Sequence, residues 1–475
     1  LETHPWVLVE RVVAQAHRIG ELYQQLEQTQ AELDRVQAEN RQLEEQLAAS
    51  QRAEKRQAAP FRVAEKKRKR RRKRPGRSGG HAGQWRQRPP DEAVDEHIEV
   101  PLETCPECGC GLPECDHQVI EQTLIDLPPV TPQVIRLRTY RQQCPECQRQ
   151  VASTHPLQVS TATGAAGTHL GPRALGFAAS LHHESGLSMR NCCRTLERLM
   201  GLRLTPGGLS QALRRMADRM EDQYDDLLSR LQGSTVLHLD ETGWWVASEH
   251  YWLWVVTNER GTYYRVVPHR NRATAQSLLG EHFDGVLVSD CLNIYDGLDV
   301  TQQKCYAHHL KAISQALNTP AGSHSLYLLE VQGLLHLALV LKQFQSELSD
   351  TAIASVRQWL EQRADELLQS PRGDPNDAQR QHEEAIRRRL YHQRSRLFTF
   401  LDYEAVNATN NQAERQLRPA VIRRKVSAGN KTEAGARTWQ ILASLAATAS
   451  QTGQSFIDQV ATAMSLQKSD VKTER

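Results

Sequence analysis

At 475 residues the chain is too long for one ordinary domain, and its formal net charge of +3 averages one intensely basic segment with long balanced ones, so the pattern of charge says more than its sum. The opening LETHPWVLVERVV lacks the basic start, apolar stretch and small-residue cleavage site of a secretory signal, and no apolar run reaches the ~18 residues of a membrane span, so a cytosolic chain is expected. In that reducing setting ten cysteines, several in C-x-x-C pairs, point to metal binding rather than to disulfides.

In chain order, residues 1–50 carry a heptad stripe of Leu8, Val12, Ile19, Leu22, Leu26, Leu33, Val36, Leu43 and Leu47, broken at Gln15, Thr29 and Asn40. Such a seam leaves apolar surface that a second helix covers, so a coiled coil and self-association are expected. Residues 51–100 read as a disordered basic linker, because Lys66, Lys67, Arg68, Lys69, Arg70, Arg71, Arg72, Lys73 and Arg74 repel one another and run into Pro75. These nine cations suit DNA phosphates. A basic-zipper factor would place them before the zipper, not after it.

Residues 101–158 contain CPECG at Cys105 and Cys108 and CPECQ at Cys144 and Cys147, a zinc-ribbon-like spacing for one structural Zn²⁺. Cys110, Cys115 or His117 could replace one ligand, and the stretch between the pairs reads as two strands around a proline-rich turn. Residues 159–232 read as helices in a helix-turn-helix-like pattern, with Arg190, Arg194 and Arg198 on one face for a DNA backbone or for solvation.

The segment 233–310 carries the central pattern. Three antiparallel strands are expected over 235–268, the first ending at Asp240 ahead of a turn through Gly243; then a helix, RATAQSLLGEHF; then an apolar strand, GVLVSD, ending on Asp290. The order β-β-β-α-β with acids on the first and fourth strands is that of a ribonuclease-H-like core, in which those two strands are neighbours. Paired carboxylates with hard oxygens suit Mg²⁺ or Mn²⁺, and Glu414, on an Asn-led helix dense in arginine, is the candidate third acid. A strand-end Asp commonly caps a turn, and a helical Glu before Arg commonly pairs on the surface; the conjunction of all three is what points to a metal site. Glu241 is expected to stay outside it. Residues 311–400 read as a helical insertion, 401–437 as the last part of the core with the third acid, and 438–475 as a helical tail. The fold class expected is therefore multidomain α/β.

The stretches DET from Asp240, SDCLNIYDGL from Ser289, CYAHHLKAI from Cys305 and NNQAERQLRPAVIRRKVSAGNKTEAGART from Asn410 together resemble the insertion sequence 66 family of bacterial DDE transposases. The resemblance implies that Asp240, Asp290 and Glu414 are the catalytic triad, holding two Mg²⁺ or Mn²⁺ ions that cleave DNA and join the freed 3′ ends to a target. It also implies terminal inverted repeats and target DNA as partners, accessory proteins encoded by the same element, and a cytoplasmic, nucleoid-associated location. Arg418 and Lys425 are candidate phosphate clamps. For His308 and His309 packing and catalysis both stay open, and Trp244, Trp245, Trp252 and Trp254 read most simply as packing. Two other classes stand beside this reading: an inactive DNA-binding regulator, and a nuclease of the same fold.

Overall fold

A computed structural model describes residues 88–112, 120–128, 130–160, 168–369 and 377–465. The expected coiled coil, the basic run Lys66 to Arg74, and Cys115 and His117 lie outside the described residues. The chain divides into two units, Leu1–Ile125 and Asp126–Arg475. In the first, the described chain is largely irregular, with a short 3₁₀ turn at Asp91–Ala93 and a bridge between Thr104 and Gly111 around the first cysteine pair.

The second unit opens with a small antiparallel hairpin, β1 (Arg141–Gln143) and β2 (Gln150–Ala152), around the second cysteine pair. This corrects the expectation of two strands before Cys144, of which only β1 forms among the described residues. Pro128 and Pro132 cannot donate to a ladder, and Leu124, Leu127 and Val134 stay exposed with no sheet face to bury them.

Four helices follow: α1 (Pro172–His183), α2 (Met189–Met200), α3 (Pro206–Arg219) and α4 (Glu221–Gln232). Their ends follow the sequence closely. Ser188 and Thr205 accept from the amides of Asn191 and Gly208, and Gly201, at φ 65°, closes α2 in the left-handed conformation that favours glycine. Arg190, Arg194 and Arg198 are exposed on α2, opposite buried Cys192, Cys193 and Leu196.

The chain then builds a mixed five-stranded sheet in the order β5-β4-β3-β6-β7. Strands β3 (Val236–Val246), β4 (Glu249–Asn258) and β5 (Gly261–Val267) pair antiparallel; β6 (Val286–Ser289) and β7 (Thr301–Lys304) pair parallel beside β3. Strand β3 does not stop at Asp240. It runs through Gly243 to Val246, paired with β4 throughout, and the turn falls at Ala247 and Ser248, both at positive φ as a two-residue hairpin requires. Between β5 and β6, α5 (Arg272–Leu279) starts on an Asn271 cap and stops at Gly280, earlier than the apolar pattern suggests.

After β7 come α6 (Tyr306–Leu317), α7 (Leu326–Gln343), α8 (Asp350–Gln369) and α9 (Ala378–Gln393), which share a core with Val286, Val288 and Phe400. The chain returns to the sheet as α10 (Asn411–Ser427) and α11 (Glu433–Thr452), and α12 (Phe456–Met464) packs in the core with the first helices.

Strand alternation distributes these cores. Leu237, Leu239, Leu287, Trp254 and Val256 pack on one side with α1 to α4, while Val286 and Val288 meet the helical insertion and Trp244, Leu253 and Val255 meet α10 and α11 on the other. No helix among the described residues is long and apolar enough to cross a membrane.

Candidate metal and DNA site

Strands β3 and β6 pair in register Val236 with Val286, Leu237 with Leu287 and His238 with Val288, and their ladder ends there. Asp240 and Asp290 each stand two residues beyond the last pair. With a side-chain period of two they share a sheet face, that of Val286 and Val288. Asp240 accepts the Glu241 amide at 2.8 Å, and Asp290 accepts the Leu292 amide at 2.9 Å.

Glu241 lies close to both: one oxygen from each of Asp240, Glu241 and Asp290 fall within 4.8 Å of one another. Its own parity sends it to the other face, where Arg270 donates at 2.6 and 2.9 Å and the Tyr295 hydroxyl donates to its second oxygen. Arg270 in turn lies 4.4 Å over the Trp252 ring. Glu241 thus has a cation of its own, whereas no ion pair forms at the two aspartates among the described residues.

Burial pushes the Asp240 carboxyl up to about 8, and the charges of Glu241, Asp290 and Glu414 push in the same direction. Glu241 is raised as well, chiefly by burial, with Tyr295 and Arg270 opposing. Carboxylates this buried and this close together either keep a proton or take a cation. The donors present fit Mg²⁺ or Mn²⁺.

Glu414 sits in the first turn of α10, near enough to act on Asp240 but grouped more tightly with Cys305 and His308. What sets its position is Asn410. Its amide Nδ2 donates to the Leu239 carbonyl at 2.7 Å, its Oδ1 faces His238 Nδ1 at 3.1 Å, and its backbone amide donates to Cys305 Sγ at 3.2 Å. The side chain of Asn410 makes no cap bond to α10, although its place at the helix start suggests one. It joins the helix that carries Glu414 to the strand that carries Asp240, one residue from that aspartate. Sequence reasoning missed this role, along with those of Arg270 and Tyr295; the Asn-Asn pair was the available signal.

The basic row on α10 divides by burial. Arg415, Arg418 and Lys425 are exposed, whereas Arg424 donates to Thr242 Oγ1 at 3.1 Å and to the Gly243 carbonyl, and Arg423 lies 5.8 Å over Trp439. Trp244 and Trp254 are buried, Trp244 stacking on Trp439 at 4.8 Å, and Trp245 is exposed. His309 is buried between Cys291 Sγ at 3.5 Å and Arg389 Nε at 3.4 Å, with burial lowering it to about 3. His308 instead turns toward Glu414, at 3.9 Å.

The two cysteine pairs, each in its own unit, adopt the same turn. Cys105 N donates to the Cys110 carbonyl and Gly109 N to the Cys105 carbonyl, at 2.9 and 2.8 Å; Cys144 N donates to Arg149 and Gln148 N to Cys144, at 2.9 and 3.0 Å. Gly109 and Gln148 occupy the same position with φ of 75° and 56°. In the first turn Cys105, Cys108 and Cys110 gather their sulfurs within 4.8 Å of one another.

These features, a mixed sheet with paired acids beyond a broken ladder and a helical segment between the second and third acids, define a class that comparison makes specific. A family model described as Transposase IS66 family matches residues 167–438, more than half of the chain. The chain belongs to the IS66 transposase family. A comparison with curated proteins finds no match.

Proposed function

We propose that the chain is a DDE transposase with a ribonuclease-H-like core, which binds the ends of its element and catalyses metal-dependent DNA strand cleavage and strand transfer. The observation that carries this reading is the placement of Asp240 and Asp290 at matching positions beyond the β3–β6 ladder, with Asp240 pushed up to about 8 by burial first and by the carboxylates beside it second. The sheet order, with three antiparallel strands and two parallel ones, supports the core assignment.

Asp240, Asp290 and Glu414 would hold Mg²⁺ or Mn²⁺, two ions per site. When bound, such ions activate the attacking water or 3′-hydroxyl and stabilise the leaving oxygen. Arg270 and Tyr295 keep Glu241 out of competition by satisfying its carboxylate on the opposite face. Asn410 holds Glu414 in register with Asp240. Arg418 and Lys425, exposed on the same helix, bind the phosphates on either side of the reacting bond. The run from Lys66 to Arg74 adds affinity independent of sequence. Cys105, Cys108, Cys144 and Cys147 bind structural Zn²⁺, a role supported by the common turn at each pair. The chain self-associates through residues 1–50, works with accessory proteins of the same element, and acts in the cytoplasm at the nucleoid.

The test mixes purified chain with labelled, pre-nicked linear DNA carrying the element's ends and with a circular plasmid, with and without Mg²⁺. Joining of label to plasmid that needs Mg²⁺ and disappears in Asp290→Ala is the expected result. Binding without cleavage or joining under any divalent metal would favour a regulator, and cleavage without joining a nuclease.

A further inference from the structure

Beside the acid pair lies a second cluster of different chemistry. Cys305, His308 and Glu414 each place one ligand atom within 4.8 Å of the others. Cys305 is the residue before α6, His308 is in the first turn of that helix, and Glu414 is in the first turn of α10. The Cys305 sulfur is fully buried and accepts the Asn410 amide at 3.2 Å, an arrangement that stabilises a metal-bound thiolate. His308 Nδ1 is itself buried and makes no hydrogen bond among the described residues, although Glu414 Oε1 stands 3.9 Å away. A buried imidazole nitrogen with no hydrogen bond, close to a thiol and a carboxylate, gives this place the donors of a metal site.

We propose that Cys305, His308 and Glu414 form a binding site for a thiophilic divalent ion of the Zn²⁺ type, and that an ion there competes with the catalytic centre for Glu414. Tetrahedral Zn²⁺ with bonds of ~2.0–2.3 Å sets its ligand atoms roughly 3.5 Å apart, so the cluster has at most about 1 Å to close. His308 and Glu414 supply that movement, since their side chains are 35% and 41% exposed, and the same exposure gives the ion its way in. Cys305 provides the fixed, buried base. Three protein ligands leave a fourth position for water. Thiolate and imidazole select Zn²⁺ over Mg²⁺, which prefers the all-oxygen pair of Asp240 and Asp290. One carboxylate cannot close both sites in its best geometry, so Zn²⁺ acts against joining that depends on Mg²⁺. The site stands without the proposed chemistry; the inhibition rests on it.

The experiment compares full-length wild type with Cys305→Ser, His308→Ala and Glu414→Gln. Zn²⁺ equivalents are counted by elemental analysis after dialysis against buffered Zn²⁺, with circular dichroism confirming that each variant is folded. Wild type is expected to hold one equivalent more per chain than each variant, and its Co²⁺ form to lose part of the thiolate charge-transfer absorption in Cys305→Ser. Equal equivalents and equal Co²⁺ spectra in wild type and all folded variants would overturn the site. In the joining assay, the Zn²⁺ concentration that halves activity, measured relative to each protein's own activity without Zn²⁺, should rise at least about tenfold in Cys305→Ser; an unchanged value would overturn the competition. If no protein joins DNA while the missing equivalent persists, the proposed function fails and the zinc site stands.

Discussion

Asp240 is where the chemistry leaves its mark on stability. Its folded form holds a proton up to about pH 8, while the unfolded chain releases it near 3.8, so the folded state binds more protons between those values and loses stability as pH rises through them. Asp240→Asn removes the charge and should flatten that slope. Each tenfold in proton affinity is worth about 1.4 kcal/mol. Recovering one such step would make the variant about 1.4 kcal/mol more stable than wild type at pH 8 in Mg²⁺-free buffer, as chemical denaturation would show; equal stability at pH 5 and pH 8 for both proteins would argue against a buried carboxyl that resists ionisation. Asp240 and Asp290 could be read in the sequence because the same phrase, apolar strand then aspartate, occurs twice. The tie from Glu241 to Arg270 and Tyr295 could not, since it joins residues 29 and 54 positions apart whose types give no hint of contact.

Among the elements, α10 carries the proposed third acid, and contacts at its two ends fix its position. Asn410 anchors its start to β3. Asn410→Ala would leave the Leu239 carbonyl and His238 without their partner in a buried place, at roughly 2–4 kcal/mol, and should reduce joining more than tenfold through Glu414 while leaving Zn²⁺ at the cysteine turns unchanged. Beyond the helix end, Gly429 has φ 95°, and a β-carbon there would stand 2.2 Å from the Trp245 carbonyl, where Asn430 bridges to the end of β3. Gly429→Ala is expected to lower stability by about 2 kcal/mol or more in thermal melts, with no such cost at Gly333, whose added carbon meets nothing.

The strands whose apolar residues alternate or run together, β3 to β6, were legible for that reason. The end of β3 was not: Asp-Glu-Thr-Gly has turn chemistry, but the long pairing with β4 overrides it. Strand β7 escaped altogether. Its buried residues are Gln302, Gln303 and Lys304, and they are tolerated only because Gln302 bonds the Tyr295 carbonyl, Gln303 the Lys304 carbonyl and Lys304 the Asp296 carboxylate, none of which hydropathy can foresee.

At the scale of the molecule, the proposed reaction centre lies on the sheet and its helices, and the proposed phosphate contacts include the basic run Lys66 to Arg74 ahead of them. Their contributions are separable. Deleting Lys66 to Arg74 should weaken binding to any DNA and reduce its salt dependence, by about 0.9 in the logarithmic slope for each phosphate that is no longer neutralised. Fluorescence anisotropy over a salt series would measure this, and an unchanged slope would assign the phosphate binding to other cations. Changing Arg418 should affect joining more than binding.

The central claim is that Asp240 and Asp290 touch a metal that does the chemistry, and replacing each with cysteine tests it most directly. A thiolate is a poor ligand for Mg²⁺ and a better one for Mn²⁺. Strand joining by folded Asp240→Cys and Asp290→Cys, assayed with each metal, should be lost in Mg²⁺ and partly restored in Mn²⁺. Joining at the wild-type rate in Mg²⁺ by either variant would contradict the claim.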